Sequence, residues 1–359
     1  MKAYRFRNER MYRRRRSLLL VVLIVCIAGA LFVYFSNKNK DNSGALISPT
    51  PTQTSTPDST PVAVINPSSP PTPTPTPTPT PSPVTSAGTT TEDHGFLPDI
   101  GSLPQSDKTE GLKKLVEDFV SQQSGKYGVT FIDLATGESF GIKDTDEYIA
   151  ASTSKFPINL LLYTKIESGE IDPEMKLEYK KSDFEAGTGI IQGSPYGTQY
   201  TVRETSKLAI QKSDNCGVNM IIDLLGLENC RQYIVDLGGV VYYGDRHRSC
   251  PHDMALVAKE LYRHYLENPE VYGEMINNLE NTDWHDRIDS LLPKDVKVAH
   301  KIGNQTRTAN DVGIVFASHP YVLSVMTDNV DFGTACTQIG KLSKMIYYYV
   351  EEYAANTAK

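Results

Sequence analysis

From Pro71 to Pro81 a proline recurs at every second position, alternating with threonine. No other stretch narrows so sharply what the chain can fold into. Proline lacks a backbone N–H and fixes its own φ, so this segment can neither propagate a helix nor pair within a sheet. It favours an extended, solvated polyproline II stalk. Ser/Thr/Pro-rich sequence continues on both sides, from about Ser48 to Ser86. That composition gives a semi-rigid spacer reaching ~3 Å per residue and suits O-glycosylation. The 359-residue chain is thereby divided, leaving about 250 residues for one large folded unit with a core and a water-excluding pocket.

The part before the stalk reads as an anchor. Arg5, Arg7, Arg10 and Arg13 to Arg16 precede an uninterrupted apolar run from Leu18 to Phe35. About eighteen apolar residues are enough to cross a bilayer, and the basic cluster predicts a cytoplasmic N-terminus. The expected organisation is a basic tail (1–17), a transmembrane anchor (18–35), a linker (36–105) and an extracytoplasmic domain (106–359) held near the cell wall. A cleaved signal peptide is the alternative, given Ala28-Gly29-Ala30. Leu31 to Phe35 carry the apolar run past that point and favour a retained, single-pass anchor in the cell membrane. The bulky Val25 before Cys26 argues against a lipoprotein-type modification.

Charge is unevenly placed. Residues 1–40 hold ten Lys/Arg against Glu9 alone, while the whole chain carries −7, so the outer part is strongly acidic. It has no basic cluster, which excludes nucleic acid as a partner; a monomer is expected. Cys216, Cys230, Cys250 and Cys336 show no C-x-x-C and no metal-like spacing with histidine, so no metal and no cofactor are expected. A Cys230–Cys250 disulfide and simple buried thiols both remain open.

The folded unit is expected to begin near Thr109, with Leu112, Leu115, Val116, Phe119 and Val120 at helical spacing. Short strands follow at Tyr127 to Ile132 and Ser139 to Ile142, joined through Ala135-Thr136-Gly137. Helical patterns fill the middle, around Val202 to Gln211, Asn215 to Leu225, Asn229 to Asp236 and Met254 to Leu266. Strands return at Val296 to Lys301, Asp311 to Phe316 and Tyr321 to Met326, before a last helix from about Ala335 to Tyr353. Strands at both ends and helices between predict an α+β fold: one antiparallel sheet flanked by helices, with an all-α subdomain inserted.

Chemistry concentrates at Ala150-Ala151-Ser152-Thr153-Ser154-Lys155, which leads into the apolar run Ile158 to Tyr163. This predicts a serine in the first turn of a buried helix, with Lys155 one turn on and on the same face. A serine hydroxyl needs a nearby proton acceptor to become a nucleophile, and a desolvated lysine is one. The helix N-terminus favours developing negative charge. Alone, S-x-x-K is a common accident. Two further elements follow in order: Ser213-Asp214-Asn215, whose bland reading is a helix cap, and Lys301-Ile302-Gly303, whose bland reading is a strand-end charge.

S-x-x-K, S-D-N and K-x-G in this order resemble the motifs of class A β-lactamases and penicillin-binding proteins. Gly187-Thr188-Gly189-Ile190-Ile191-Gln192 and Asn310-Asp311-Val312-Gly313-Ile314-Val315 also resemble segments of that group. The likeness covers about residues 110–355. It implies that Ser152 is the acylated nucleophile, Lys155 its proton acceptor, and Ser213 the relay to the leaving nitrogen. Asn215, Lys301 and Gly303 would bind substrate, and the Ser152 N–H with the Lys301 strand would form an oxyanion hole. The implied substrates are β-lactams or D-alanyl peptides.

Two departures stand out. The omega-loop glutamate that activates the deacylating water in class A β-lactamases has no counterpart in Gly244-Asp245-Arg246-His247-Arg248-Ser249-Cys250-Pro251, and by that resemblance the loop is short by several residues. Asp245, His247 and Glu185 are the remaining candidates for a base, which typically contributes 10²–10⁴-fold. Ile302 stands where a threonine or serine hydroxyl is usual, a lost charge-assisted hydrogen bond of ~1.5–3 kcal/mol; Arg307, in a turn soon after, could supply charge, but an exposed loop arginine is the plainer reading. The expectation is thus a serine hydrolase with doubtful deacylation. The alternatives are a penicillin-binding peptidase that stays acylated and a non-catalytic wall-binding or sensor module.

Overall fold

The computed structural model describes residues 105–357 apart from Asp245. The expected tail, anchor and stalk lie outside the described residues, as does Asp245. Among the described residues no helix is long and apolar enough to cross a membrane.

The N-terminal helix α1, Gln105–Ser121, starts a few residues before the periodicity suggested. It leads into the hairpin of β1, Lys126–Asp133, and β2, Ser139–Ile142. Three strands close the chain: β7, Val298–Gln305, β8, Thr308–Val315, and β9, Tyr321–Asp328. They assemble an antiparallel sheet of order β2-β1-β9-β8-β7, in which the late strand β9 lies against the early β1. The terminal helix α8, Phe332–Thr357, follows.

Alternation along the strands sorts two cores. Leu323 and Val325 of β9 face Leu112, Val116, Ile339 and Ile346 of α1 and α8, whereas Val322 and Met326 face the opposite way, into the cluster containing Phe156 and Leu160. Because both faces are covered, β8 and β9 are buried along almost their whole length. That is why they read as continuous apolar runs rather than alternating ones.

Between β2 and β7 lie α2, Lys155–Glu167, α3, Val202–Gln211, α4, Asn215–Leu225, α5, Leu227–Asp236, α6, Pro251–Glu267, and α7, Pro269–Glu280. The expectation of an inserted helical lobe holds, with two short ribbons the sequence did not reveal. These pair β3, Tyr148–Ile149, with β6, Arg248–Ser249, and β4, Lys176–Glu178, with β5, Gln199–Thr201. Helix α7 was also missed; its start is set by Asn268, whose side chain accepts from Val271 N, and by Pro269 at the first turn. Helix α2 is buried from Lys155 through Tyr163. A helix apolar on every side belongs in a core, so its first residues are held at fixed positions.

Candidate active site

Ser152 does not lie in the first α-helical turn. It sits in a 3-10 turn, Ala151–Ser154, that runs directly into α2. Ala151 has φ +49°, a left-handed conformation costing of order 1–3 kcal/mol for a non-glycine residue. The turn is held from three sides. Ala150 N donates to His247 O at 3.0 Å, Thr153 Oγ1 donates to Ala150 O at 2.6 Å, and Asn310 Nδ2 donates to Ile149 O at 2.8 Å. Asn310 is fully buried in β8 and also accepts from Thr327 N at 2.9 Å. Its side chain thus fastens the approach to Ser152 onto the sheet, a role the sequence did not assign.

The expected pairing of Ser152 with Lys155 is present, at 3.1 Å between Oγ and Nζ. Lys155 Nζ also lies 2.7 Å from Ser213 O, 2.7 Å from Asn215 Oδ1 and 3.2 Å from Ser213 Oγ. The two shortest contacts go to groups that only accept. A neutral amine has two N–H donors for them and one lone pair left to face a hydroxyl. Burial pushes the Lys155 amine down to about 8, against the opposing pull of Glu185 and Asp214.

Ser213 and Asn215 arrive from the far side. Ser213 is buried with φ +49°, a second strained residue, which turns both its carbonyl and its hydroxyl toward Lys155. Between them, Asp214 does what the helix-cap reading expects. Its carboxylate accepts from Gly217 N at the start of α4 and from Ile190 N and Ile191 N. It therefore ties the Gly187–Gln192 segment to the site. Gly189 has φ +104°, and a Cβ there would meet the Asp214 carboxyl carbon at 2.2 Å. Thr188 Oγ1 donates to Ser213 O at 2.7 Å and steadies the same carbonyl that Lys155 uses. The motif is cap and site at once.

Lys301 is far from a strand-end charge: it is fully buried in β7. Its Nζ lies 3.0 Å from Ser213 Oγ and 5.7 Å from the centre of the Trp284 ring. Burial, and then the neighbouring Lys155, hold its amine well below the usual lysine range. Gly303 lets β7 pass close to the turn, since a Cβ there would meet Ala150 O at 2.8 Å. Ile302 is buried and offers no hydroxyl, as its sequence indicates. Arg307 is exposed in the β7–β8 turn, where its guanidinium donates to Asn329 O. A further cation was missed by sequence reasoning: Arg287 is fully buried and donates to Asn310 O and to Asn304 Oδ1, bracing β7 against β8.

Residues 110–350 match the family model described as the beta-lactamase enzyme family. The chain belongs to that family. This β-lactamase-like serine hydrolase is 26% identical over 242 residues to Beta-lactamase SME-1 of Serratia marcescens, covering 60% of this chain and 79% of the relative. It is 22% identical over 234 residues to Beta-lactamase VEB-1 of Pseudomonas aeruginosa, covering 58% and 78%. Among solved structures, PBP-A superposes with a TM-score of 0.62 at 24% identity, over 67% of this chain and 96% of that one. A mutant of PBP-A in an acyl-enzyme complex with penicillin G has a TM-score of 0.61 at 23% identity, covering 70% and 98%. At those identities the structures establish the shared fold.

In this β-lactamase family member the loop after α5 lies against the Ser152 turn through the β3–β6 pairing and the Ala150–His247 bond. His247 is exposed, and its Nδ1 lies 2.7 Å from Tyr243 Oη. Glu185 Oε2 accepts from Asn219 Nδ2 at 3.2 Å. Neither His247 nor Glu185 is hydrogen-bonded to Ser152 or Lys155. All four described cysteines are free and buried, so the thiol reading holds and Cys230 and Cys250 are unpaired.

Proposed function

We propose that this chain is a membrane-anchored, extracytoplasmic acyl-transferring hydrolase whose Ser152 attacks the amide of β-lactams or of D-alanyl peptides. The observation that carries this reading is the shared position of Lys155 Nζ, within 3.2 Å of Ser152 Oγ, Ser213 Oγ and Asn215 Oδ1. In the reading, neutral Lys155 takes the Ser152 proton as Oγ bonds to the substrate carbonyl carbon. The oxyanion is met by the Ser152 N–H and a backbone donor of β7. Ser213 then gives its proton to the departing nitrogen as the C–N bond breaks. Lys155, 3.2 Å away, returns a proton to Ser213. Lys301, whose charge a bound carboxylate restores, anchors the substrate beside Ser213, and Asn215 and Gly303 shape the same cleft.

The penicillin-binding reading, in which the acyl-enzyme persists, draws support from the short loop and from the bonds that already engage His247 and Glu185. The non-catalytic alternative conflicts with two lysines kept buried around one serine, an arrangement costly to maintain without use. Intact-mass spectrometry of the full chain with excess penicillin decides among them. A single covalent adduct is expected, absent in Ser152→Ala; no adduct over hours overturns the acylation reading. Adduct lifetime separates turnover from trapping. The anchor is tested separately: protease added to intact cells should release the folded domain through the Pro/Thr stalk, and full protection of the chain overturns it.

A further inference from the structure

The 281–297 connection between α7 and β7 forms neither helix nor strand, yet it carries Trp284 over Lys301 and the buried Arg287. Three side chains meet behind it. Ligand atoms of His285, Asp289 and His300 all lie within 4.8 Å of one another. His300 Nε2 is 3.6 Å from Asp289 Oδ2, and the His285 ring nitrogen Nδ1 pairs with that same oxygen. His300 is fully buried, and its Nε2 has no hydrogen-bond partner; neither has the buried Asp289 Oδ1. His300 Nε2 thus has only a long ion pair to Asp289 Oδ2, and a buried polar atom without a hydrogen bond is costly, so the cluster demands an explanation.

The residues packed behind His300 give it. His300 Nδ1 faces the fully buried Asp311 carboxylate, 3.0 Å from both oxygens. Asp311 is in turn held by Ile288 N at 3.1 Å. A carboxylate gripping one imidazole nitrogen, with the other aimed at a cluster of donors, is the arrangement that orients metal-ligating histidines. We propose that His285, Asp289 and His300 bind one divalent cation of the zinc class, with the exposed side of His285 leaving a position for water. Two imidazoles and a carboxylate suit such ions. Ligands on tetrahedral zinc lie about 3.3 Å apart, close to the separation already present between His300 and Asp289.

The contrast with a second cluster sharpens the case. Cys250, His252 and Asp253 are also close together. There, however, both Asp253 oxygens accept from the backbone, at Val240 N and Val241 N, and His252 Nδ1 lies on the same carboxylate. That cluster is already satisfied by the fold. Without metal, the alternative occupant of the His300 cluster is a proton shared between His300 and its two carboxylates. A cation must displace it. Bound metal would pin the irregular connection to β7 at the residue before Lys301, and so fix the Trp284 wall of the catalytic pocket.

The test uses the full, tag-free chain stripped with chelator. Zinc at micromolar concentration should raise the thermal midpoint progressively with metal concentration. Cobalt should give visible d–d bands of a nitrogen/oxygen site, without the near-ultraviolet band of a thiolate ligand. His285→Ala, at an exposed side chain, should fold normally and lose at least tenfold in affinity, and Asp289→Asn should do the same. Absence of any midpoint shift and cobalt spectrum in the wild-type chain assigns the cluster to a proton and overturns the proposal. So does undiminished binding in His285→Ala, or a thiolate band that moves the metal to Cys250.

Discussion

Two walls of one pocket are built to different standards. On one side, Lys155 and Lys301 are buried and both reach Ser213, while Ala151 and Ser213 hold left-handed backbone that only a well-packed surround sustains. On the other, the loop from Tyr243 to Arg248 turns a histidine outward and bonds it to a tyrosine of the same loop. Each position of the attacking wall is fixed by several independent contacts. The wall from which water would be activated touches the Ser152 turn through one backbone bond and the Tyr243 hydroxyl. On the proposed reading, forming the acyl-enzyme and releasing it are therefore separable, and can be broken one at a time.

The largest break should come at Lys155. Lys155→Met keeps the side chain's length and burial but removes the amine, and acylation by penicillin should fall by about 10²–10⁴-fold. Stopped-flow or quenched mass spectrometry measures it; a loss below tenfold would assign the base elsewhere. The wild-type pH profile gives an independent check. The amine is lowered to about 8 from a usual 10.5, and only its neutral form accepts a proton. Acylation should therefore rise with pH and level off above about 8. A profile flat from neutral pH to 9 would contradict that role.

A smaller effect should follow from crowding β7. In Gly303→Ala the new Cβ would meet Ala150 O at 2.8 Å and Thr153 N at 3.1 Å, both backbone atoms. The strand must move away from the turn, and displacements near 1 Å cost up to 10² in rate. Acylation should fall at least tenfold, with stability lowered by ~1–3 kcal/mol. Unchanged acylation would show that β7 need not pass so close.

Why some of this was legible and some was not follows from distance along the chain. Ser152 and Lys155 are three residues apart, so helical geometry alone foretells their contact. The strands from both ends of the folded segment were visible because β1, β8 and β9 are apolar and bounded by turn residues. Residues whose partners are remote carried no local signal. Asn310 reaches back to Ile149, and Arg287 to Asn304 and Cys336. An asparagine and an arginine in polar sequence look like surface until the fold closes over them. The same holds for Lys301, whose motif suggested a role but not its burial. Helix α7 was hidden by the polar residues of Glu270, Glu274, Asn277 and Asn278, of which Asn278 is in fact buried.

The smallest effect is expected where the loop wall is altered. Tyr243 and His247 are bonded to each other there, and the Tyr243 hydroxyl also reaches Ser154 of the Ser152 turn. If neither side chain activates water, Tyr243→Phe and His247→Ala should leave the lifetime of the penicillin adduct within about twofold of wild type. Removing a true general base should lengthen it by 10²–10⁴-fold. The measurement is the decay of the adduct mass after excess penicillin is removed. Because acylation is read in the same experiment, a variant that merely misfolds declares itself by forming no adduct. A lifetime lengthened a hundredfold with normal acylation would move the missing half of the reaction onto this pair, and make the loop wall catalytic after all.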